Sequence, residues 1–118
     1  MKKYPKEDSG NRLTGNPVSG EDFRSALKGD FPPQSWSDPF RALWWDACGY
    51  WEPAHEIAQD LPTSWGSWMH AYLHRKEGDH WNAGYWYRQA GVRKRGDSLE
   101  AEFEALLQAL LNADGNAV

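Results

Sequence analysis

Two histidines and a glutamate are spaced so that they could act together. His70, His74 and Glu77 follow one another at i, i+4 and i+7, which places their side chains on one face of an α-helix. Two imidazoles one turn apart can chelate a divalent metal, and this spacing occurs in zinc sites. A third ligand would have to come from elsewhere in the chain. The candidates are His55, His80, Glu52 and Glu56.

The same three residues allow other interpretations. A small metal-dependent or His/Glu-assisted hydrolase using His70, His74 and Glu77 is one alternative. In the zinc metalloprotease motif, however, a glutamate directly follows the first histidine, and here it does not. The histidines could also simply hydrogen-bond or pair with Glu77 in a partly buried interface, which would make them structural.

Other reactive groups are weaker candidates for catalysis. Cys48 could act as a nucleophile with His74 or His55 as its base, since thiol catalysis needs a thiolate beside an imidazole. A lone cysteine between aromatic residues is explained more simply as packing volume. Glu52 and Glu56 lie one turn apart, a spacing typical of a solvated helix face. We therefore predict no catalytic residue.

Capping and turn residues divide the chain into short helices that would position these side chains. The predicted starts are Ser19, Asp38–Pro39, Pro53, Thr63–Ser64, Asp79 and Ser98, and the predicted ends are Gly29, Gly49, Pro62, Gly78 and Gly91. Tyr50 and Trp51 are predicted to form a turn. Because no alternating strand pattern of useful length occurs, the predicted fold class is all-α, with about six helices.

The chain also contains an internal repeat. A shift of 29 residues superimposes Trp36 on Trp65, Ala42 on Ala71, Gly49 on Gly78 and Ala54 on Ala83. A period of this size is typical of stacked helical hairpins. We expect two hairpins, flanked by capping helices at Ser19 and Ser98, in one domain over residues 19–113. Residues 1–18 are predicted to be a flexible arm and 114–118 a tail.

The second repeat carries a family resemblance. Its segment Ala83-Gly84-Tyr85-Trp86-Tyr87-Arg88-Gln89-Ala90, preceded by Tyr72 and Gly78, resembles the second-helix signature of Sel1-like repeats, relatives of the tetratricopeptide repeat. The resemblance covers about residues 36 to 91. The segment from His70 to Asp79 is also similar to one in small uncharacterised bacterial proteins, which implies no activity.

The resemblance implies a binding groove, because the first helices of tetratricopeptide-like hairpins line the concave side of the array. The 29-residue shift gives Arg41 and Trp45 positions equivalent to His70 and His74. We expect these four residues, with nearby Trp51, to hold an extended peptide. Trp45 would be its anchor, and Arg41 would pair with a carboxylate.

A second aromatic surface is predicted on the helix after Asp79, where Trp81, Tyr85 and Arg88 form a stripe. Stacked aromatic rings beside a basic residue could bind a sugar or a base. Packing against the last helix would explain Trp81 and Tyr85 more simply.

The composition of the chain limits the partners and the cell compartment that can be expected. The 118-residue chain has a formal net charge of -4 and a pI near 5.5, so it has no general attraction for nucleic acid. The single cysteine is typical of a reducing compartment, and the polar start of the chain predicts neither a signal peptide nor a membrane anchor. We expect a cytoplasmic protein.

These observations predict a non-enzymatic binding or scaffold module. Its ligand would be a peptide, a protein or a second copy of the chain, with no nucleic-acid or membrane partner. No cofactor is expected apart from a divalent metal at His70, His74 and Glu77. The alternatives are the hydrolase described above and carbohydrate binding by exposed tryptophan and tyrosine.

Overall fold

The computed structural model describes the backbone of residues 15–116 and the side chains of residues 15–113. This part of the chain forms six α-helices and contains no strand, so the all-α prediction is confirmed. The helices are α1 Gly20–Ser25, α2 Asp38–Ala47, α3 Trp51–Asp60, α4 Ser64–Lys76, α5 His80–Ala90 and α6 Leu99–Asn116. A single 3₁₀ turn, Ala26–Lys28, extends α1. The first fourteen residues of the predicted arm lie outside the described residues.

Most helix boundaries follow from local chemistry. The Ser19 hydroxyl accepts a hydrogen bond from the Asp22 amide at the start of α1, and the Ser98 hydroxyl accepts one from the Ala101 amide at the start of α6. Such caps satisfy backbone N–H groups that have no partner within the helix. One prediction was wrong: Trp51 is the first residue of α3 rather than part of the preceding turn.

Two glycines at equivalent repeat positions make the sharp turns. Gly49 between α2 and α3 has φ 87°, and Gly78 between α4 and α5 has φ 89°. Residues with a Cβ rarely adopt this left-handed conformation. The two turns bring consecutive helices together, so α2 packs on α3 and α4 packs on α5. Sequential helices therefore pack in hairpin-like pairs.

The two pairs are joined by direct packing of α3 on α4. A Cβ added to Gly66, in the first turn of α4, would lie 2.5 Å from Leu61 Cβ and 2.8 Å from the Ala58 carbonyl oxygen. A side chain at position 66 would therefore force the two helices apart. This glycine sets how closely α3 approaches α4.

Helix α6 lies against α4, α2 and α1 and closes the core. Its Leu106 and Leu107 are completely buried, together with Phe23 of α1. The tryptophans are distributed unevenly: Trp36, Trp44 and Trp45 are buried, four others are partly buried, and Trp81 is exposed. No helix among the described residues is long and apolar enough to cross a membrane.

A buried carboxylate ties α6 to the second hairpin. Glu102 is 0% exposed. It accepts hydrogen bonds from Trp68 Nε1 at 3.0 Å, from Arg75 Nη1 at 2.8 Å and from the Tyr87 hydroxyl at 2.7 Å. Burial and this carboxylate together raise the pKa of Tyr87, so its hydroxyl stays a donor. Donors from two helices thus compensate the cost of removing the charge from water.

We predict that Glu102→Gln strongly destabilises the fold. The change removes the negative charge opposite the Arg75 guanidinium, and breaking a buried ion pair costs about 3–5 kcal/mol. Urea unfolding followed by circular dichroism measures the loss. The matched control is Glu104→Gln on the same helix, whose exposed ion pair with Arg24 should contribute less than about 1 kcal/mol. Equal losses in both variants would contradict the role assigned to Glu102.

Candidate functional site

Three imidazoles from two helices meet on the side of α4 that faces α3 and α5. They belong to His55 of α3 and to His70 and His74 of α4, and one ring nitrogen from each lies within 4.8 Å of the other two. The ring centroids are 4.5 Å apart for His55 and His70 and 4.8 Å apart for His70 and His74. We call this group the histidine cluster.

Hydrogen bonds restrict the proton positions in the histidine cluster. His55 Nε2 and His70 Nε2 lie 2.8 Å apart, so one of these nitrogens donates and the other accepts. His74 Nδ1 lies 2.8 Å from Glu77 Oε2, and a proton on Nδ1 satisfies this contact. That tautomer leaves the Nε2 lone pair of His74 available to a ligand.

Two indole rings form walls on the cluster. The Trp51 ring stacks on His55 at 4.7 Å and 11°, and the Trp86 ring stacks on His70 at 4.2 Å and 18°. Trp51 is itself held by a 2.9 Å hydrogen bond from its Nε1 to the Leu73 carbonyl oxygen. These contacts limit rotation of both imidazoles and keep part of their surface away from water.

The surroundings favour the uncharged forms of His55 and His70. Burial, followed by the neighbouring charges of His55 and His74, lowers the pKa of His70 to about 4. Burial and the charge of His74 also lower the pKa of His55. At neutral pH these side chains therefore carry the lone pairs that a metal ion requires.

The structure brings some of the predicted metal ligands together. Of the four candidates for a third ligand, His55 joins His70 and His74, whereas Glu52, Glu56 and His80 are exposed. Glu77 lies beside His74 as its hydrogen-bond partner. Glu77, His74 and Asp79 also form a second group with ligand atoms within 4.8 Å. Both Asp79 carboxylate oxygens, however, accept hydrogen bonds from Asn82 at the start of α5.

The residues predicted for a peptide groove are placed differently. Trp51 contacts the histidine cluster, as described above. Trp45 is 4% exposed and packs edge-on against Trp44 and Tyr50 within the core. Arg41 lies 3.6 Å from Asp38, one turn earlier on α2. A side chain as deeply buried as Trp45 has almost no surface to offer an incoming peptide.

Cys48 is partly buried, and burial raises the pKa of its thiol, which opposes formation of a nucleophilic thiolate.

On α5, Trp81 is 80% exposed and Tyr85 40% exposed. The interpretation that Trp81 packs against the last helix was therefore wrong.

Sequence reasoning did not identify the role of Trp86 at the cluster or the close approach at Gly66. Trp86 belongs to the segment that resembles Sel1-like repeats, and its i, i+3 spacing from Ala83 gives no sign of a stacked imidazole. The isolated glycine in the first turn of α4 was the available signal for close packing.

Comparisons with protein-family models, with curated proteins and with solved structures gave no match for this chain.

We predict that the histidine cluster makes stability depend on pH. Folding lowers the pKa of His70 from about 6.5 to about 4. Between pH 4 and pH 6.5, His70 therefore binds a proton in the unfolded chain but not in the folded protein. The contribution of His70 to the free energy of unfolding is therefore fully present above pH 6.5. It falls as the pH drops towards about 4, by at most roughly 3 kcal/mol.

Urea unfolding of the wild type and His70→Phe across this pH range tests the prediction. The variant should lose less stability than the wild type on acidification, whereas the control His80→Phe should follow the wild type. Parallel curves for the wild type and His70→Phe would contradict it.

Proposed function

We propose that this protein is a non-enzymatic binding module whose ligand is a divalent transition-metal ion, most suitably zinc. His55, His70 and His74 would be the ligands. The observation that carries the proposal is the approach of three ring nitrogens to within 4.8 Å of one another from two helices packed directly together. Imidazole is a preferred ligand for zinc, copper and nickel.

The distance between two of the three ring nitrogens is close to that of a tetrahedral site. With zinc–nitrogen bonds of about 2.0–2.1 Å, the ligand nitrogens of such a site lie roughly 3.3 Å apart. His55 Nε2 and His70 Nε2 are 2.8 Å apart, so replacing their hydrogen bond by a metal ion requires a movement of about 0.5 Å. The ring that donates this hydrogen bond must also move its proton from Nε2 to Nδ1, because the metal binds a nitrogen lone pair. His74 can approach the metal ion with the rotation of its ring already fixed by its hydrogen bond to Glu77.

Glu77 supports the site as an orienting partner. In metalloproteins the second nitrogen of a ligating histidine commonly donates to a carboxylate, which fixes its tautomer and raises its basicity. The contact between His74 Nδ1 and Glu77 Oε2 matches this arrangement. Because the carboxylate is engaged there, it is a poor candidate for a free general base, and this favours metal binding over the hydrolase alternative.

Three protein ligands leave a fourth position on a tetrahedral ion. Water or a side chain of a bound peptide would complete the coordination. The expected peptide partner can therefore be accommodated at this site without a role for buried Trp45.

Titration calorimetry with zinc tests the proposal. Wild-type protein should bind one equivalent, and His70→Ala should weaken binding at least about 100-fold because it removes one of three ligands. Glu77→Gln should weaken binding about 10- to 100-fold, as expected for loss of an orienting carboxylate. Cobalt substitution supplies a second readout, since a tetrahedral site gives intense visible absorption.

His80→Ala is the matched control, because His80 is exposed on α5 and lies outside the histidine cluster. It should bind zinc as the wild type does. The proposal fails if the wild type shows no saturable binding, or if His80→Ala loses as much affinity as His70→Ala.

Self-association is a second candidate function, favoured by the exposure of Trp81. Its indole is 80% exposed, and Tyr85, one turn later on α5, is 40% exposed. Burying such rings between two copies of the chain would remove a large apolar area from water. A two-fold contact that pairs α5 with α5 would use the same surface on both copies.

Sedimentation velocity over a range of concentrations tests this candidate. Wild-type protein should form a dimer whose dissociation constant rises at least about tenfold in Trp81→Ala, since a central tryptophan of an interface commonly contributes more than about 1.4 kcal/mol. Exposed Tyr85→Ala should have a smaller effect. A wild type that stays monomeric at all concentrations would exclude the idea, and a shift of tryptophan emission on titration with sugars would instead favour carbohydrate binding.

A further inference from the structure

A cavity of about 270 Å³ lies between α2, α4 and α6, away from the histidine cluster. Its walls include the rings of Tyr72 and Phe103 and the side chain of Leu99. Its charged lining residues are Asp46, Lys76, Glu100 and Glu104. The site thus combines an apolar wall with carboxylates.

The side chain of Lys76 shows how an ammonium group fits this cavity. Its Nζ lies 2.8 Å from Asp46 Oδ1 and 5.9 Å from the centroid of the Tyr72 ring. The Tyr72 hydroxyl donates to the other Asp46 oxygen at 2.8 Å. Burial and the Asp46 carboxylate raise the pKa of Tyr72, so the hydroxyl remains a donor. A buried carboxylate beside an aromatic face is a favourable environment for an organic cation.

The charge balance favours a cation over an anion. Three carboxylates and one ammonium line the cavity, and Arg24 of α1 offsets the charge of Glu104 through an ion pair. Glu100 has no ion-pair partner among the described side chains. The Asp46 side chain is 4% exposed, and its charge would repel an anionic ligand in poorly screened surroundings.

The position of Lys76 allows its ammonium group to move away from Asp46. It is the last residue of α4, and its side chain is 37% exposed, so the ammonium can move from Asp46 into solvent without unfolding the helix.

We propose that this cavity binds a small primary alkylammonium ligand, whose charged group replaces that of Lys76 on Asp46. The alkyl chain would lie against Phe103 and Leu99, and Glu100 at the exposed side would add attraction. Lys76 then acts as an internal competitor that occupies the site when the ligand is absent. This proposal is independent of metal binding at the histidine cluster.

The experiment is a titration of the full chain with n-butylammonium, followed by amide chemical shifts in ¹H–¹⁵N spectra. Saturable shifts are expected at Ala47 and Phe103. Lys76→Ala should bind about tenfold or more tightly, because it removes the competing charge-assisted hydrogen bond to Asp46. Glu100→Gln should bind more weakly, and since Glu100 is exposed, this variant should keep the wild-type fold.

Lys94→Ala is the matched control for the loss of an exposed lysine, and its affinity should equal that of the wild type. Butyrate, an anion with a similar alkyl chain, tests whether the cavity requires a positively charged ligand. It should not bind. The proposal is overturned if folded Lys76→Ala does not bind n-butylammonium more tightly than the wild type and Lys94→Ala do. It is also overturned if Glu100→Gln has no effect or if butyrate shifts the same amides.

Discussion

The buried charge of Glu102 is the constraint on which the arrangement of the second half of the molecule depends. An isolated carboxylate in the core would be strongly unfavourable, so the donors of Trp68, Arg75 and Tyr87 must point towards it. Trp68 and Arg75 are both on α4, and together they fix the rotation of that helix about its axis. Once this rotation is fixed, His70 and His74 must face away from α6, towards α3 and α5.

Helix α4 therefore separates two different chemical environments. On the side of α6, Tyr72 and Lys76 meet the carboxylate of Asp46. On the other side, His70 and His74 meet a third imidazole and two indole rings. The first environment holds the ion pair of Lys76 with Asp46, whereas in the second environment burial lowers the pKa of His70 and so favours its uncharged form. One thirteen-residue helix thus carries a partly buried ion pair on one face and a group of imidazoles on the other.

The parts of this arrangement that sequence could predict are those set by neighbouring residues. The caps at Ser19, Asp79 and Ser98 and the turns at Gly49 and Gly78 depend on local backbone chemistry, and the shared face of His70 and His74 follows from helical spacing. The choice of His55 as their partner could not be made locally, because it depends on how α3 packs on α4. The same reason explains Trp45 and Trp81: both lie on amphipathic helices, and only the tertiary packing decides which aromatic ring is buried.

Gly66 has a consequence for recognising this site in other chains. Its missing side chain allows the backbone of α4 to approach the end of α3, and this approach is what brings His55 to His70. Because the three positions are spaced by four residues, the requirement can be written as the pattern Gly-x₃-His-x₃-His on a single helix. A chain with both histidines but a larger residue at the first position would keep the helical pair and lose the third imidazole. The glycine, rather than the conspicuous tryptophans, is the residue by which a candidate relative should be judged.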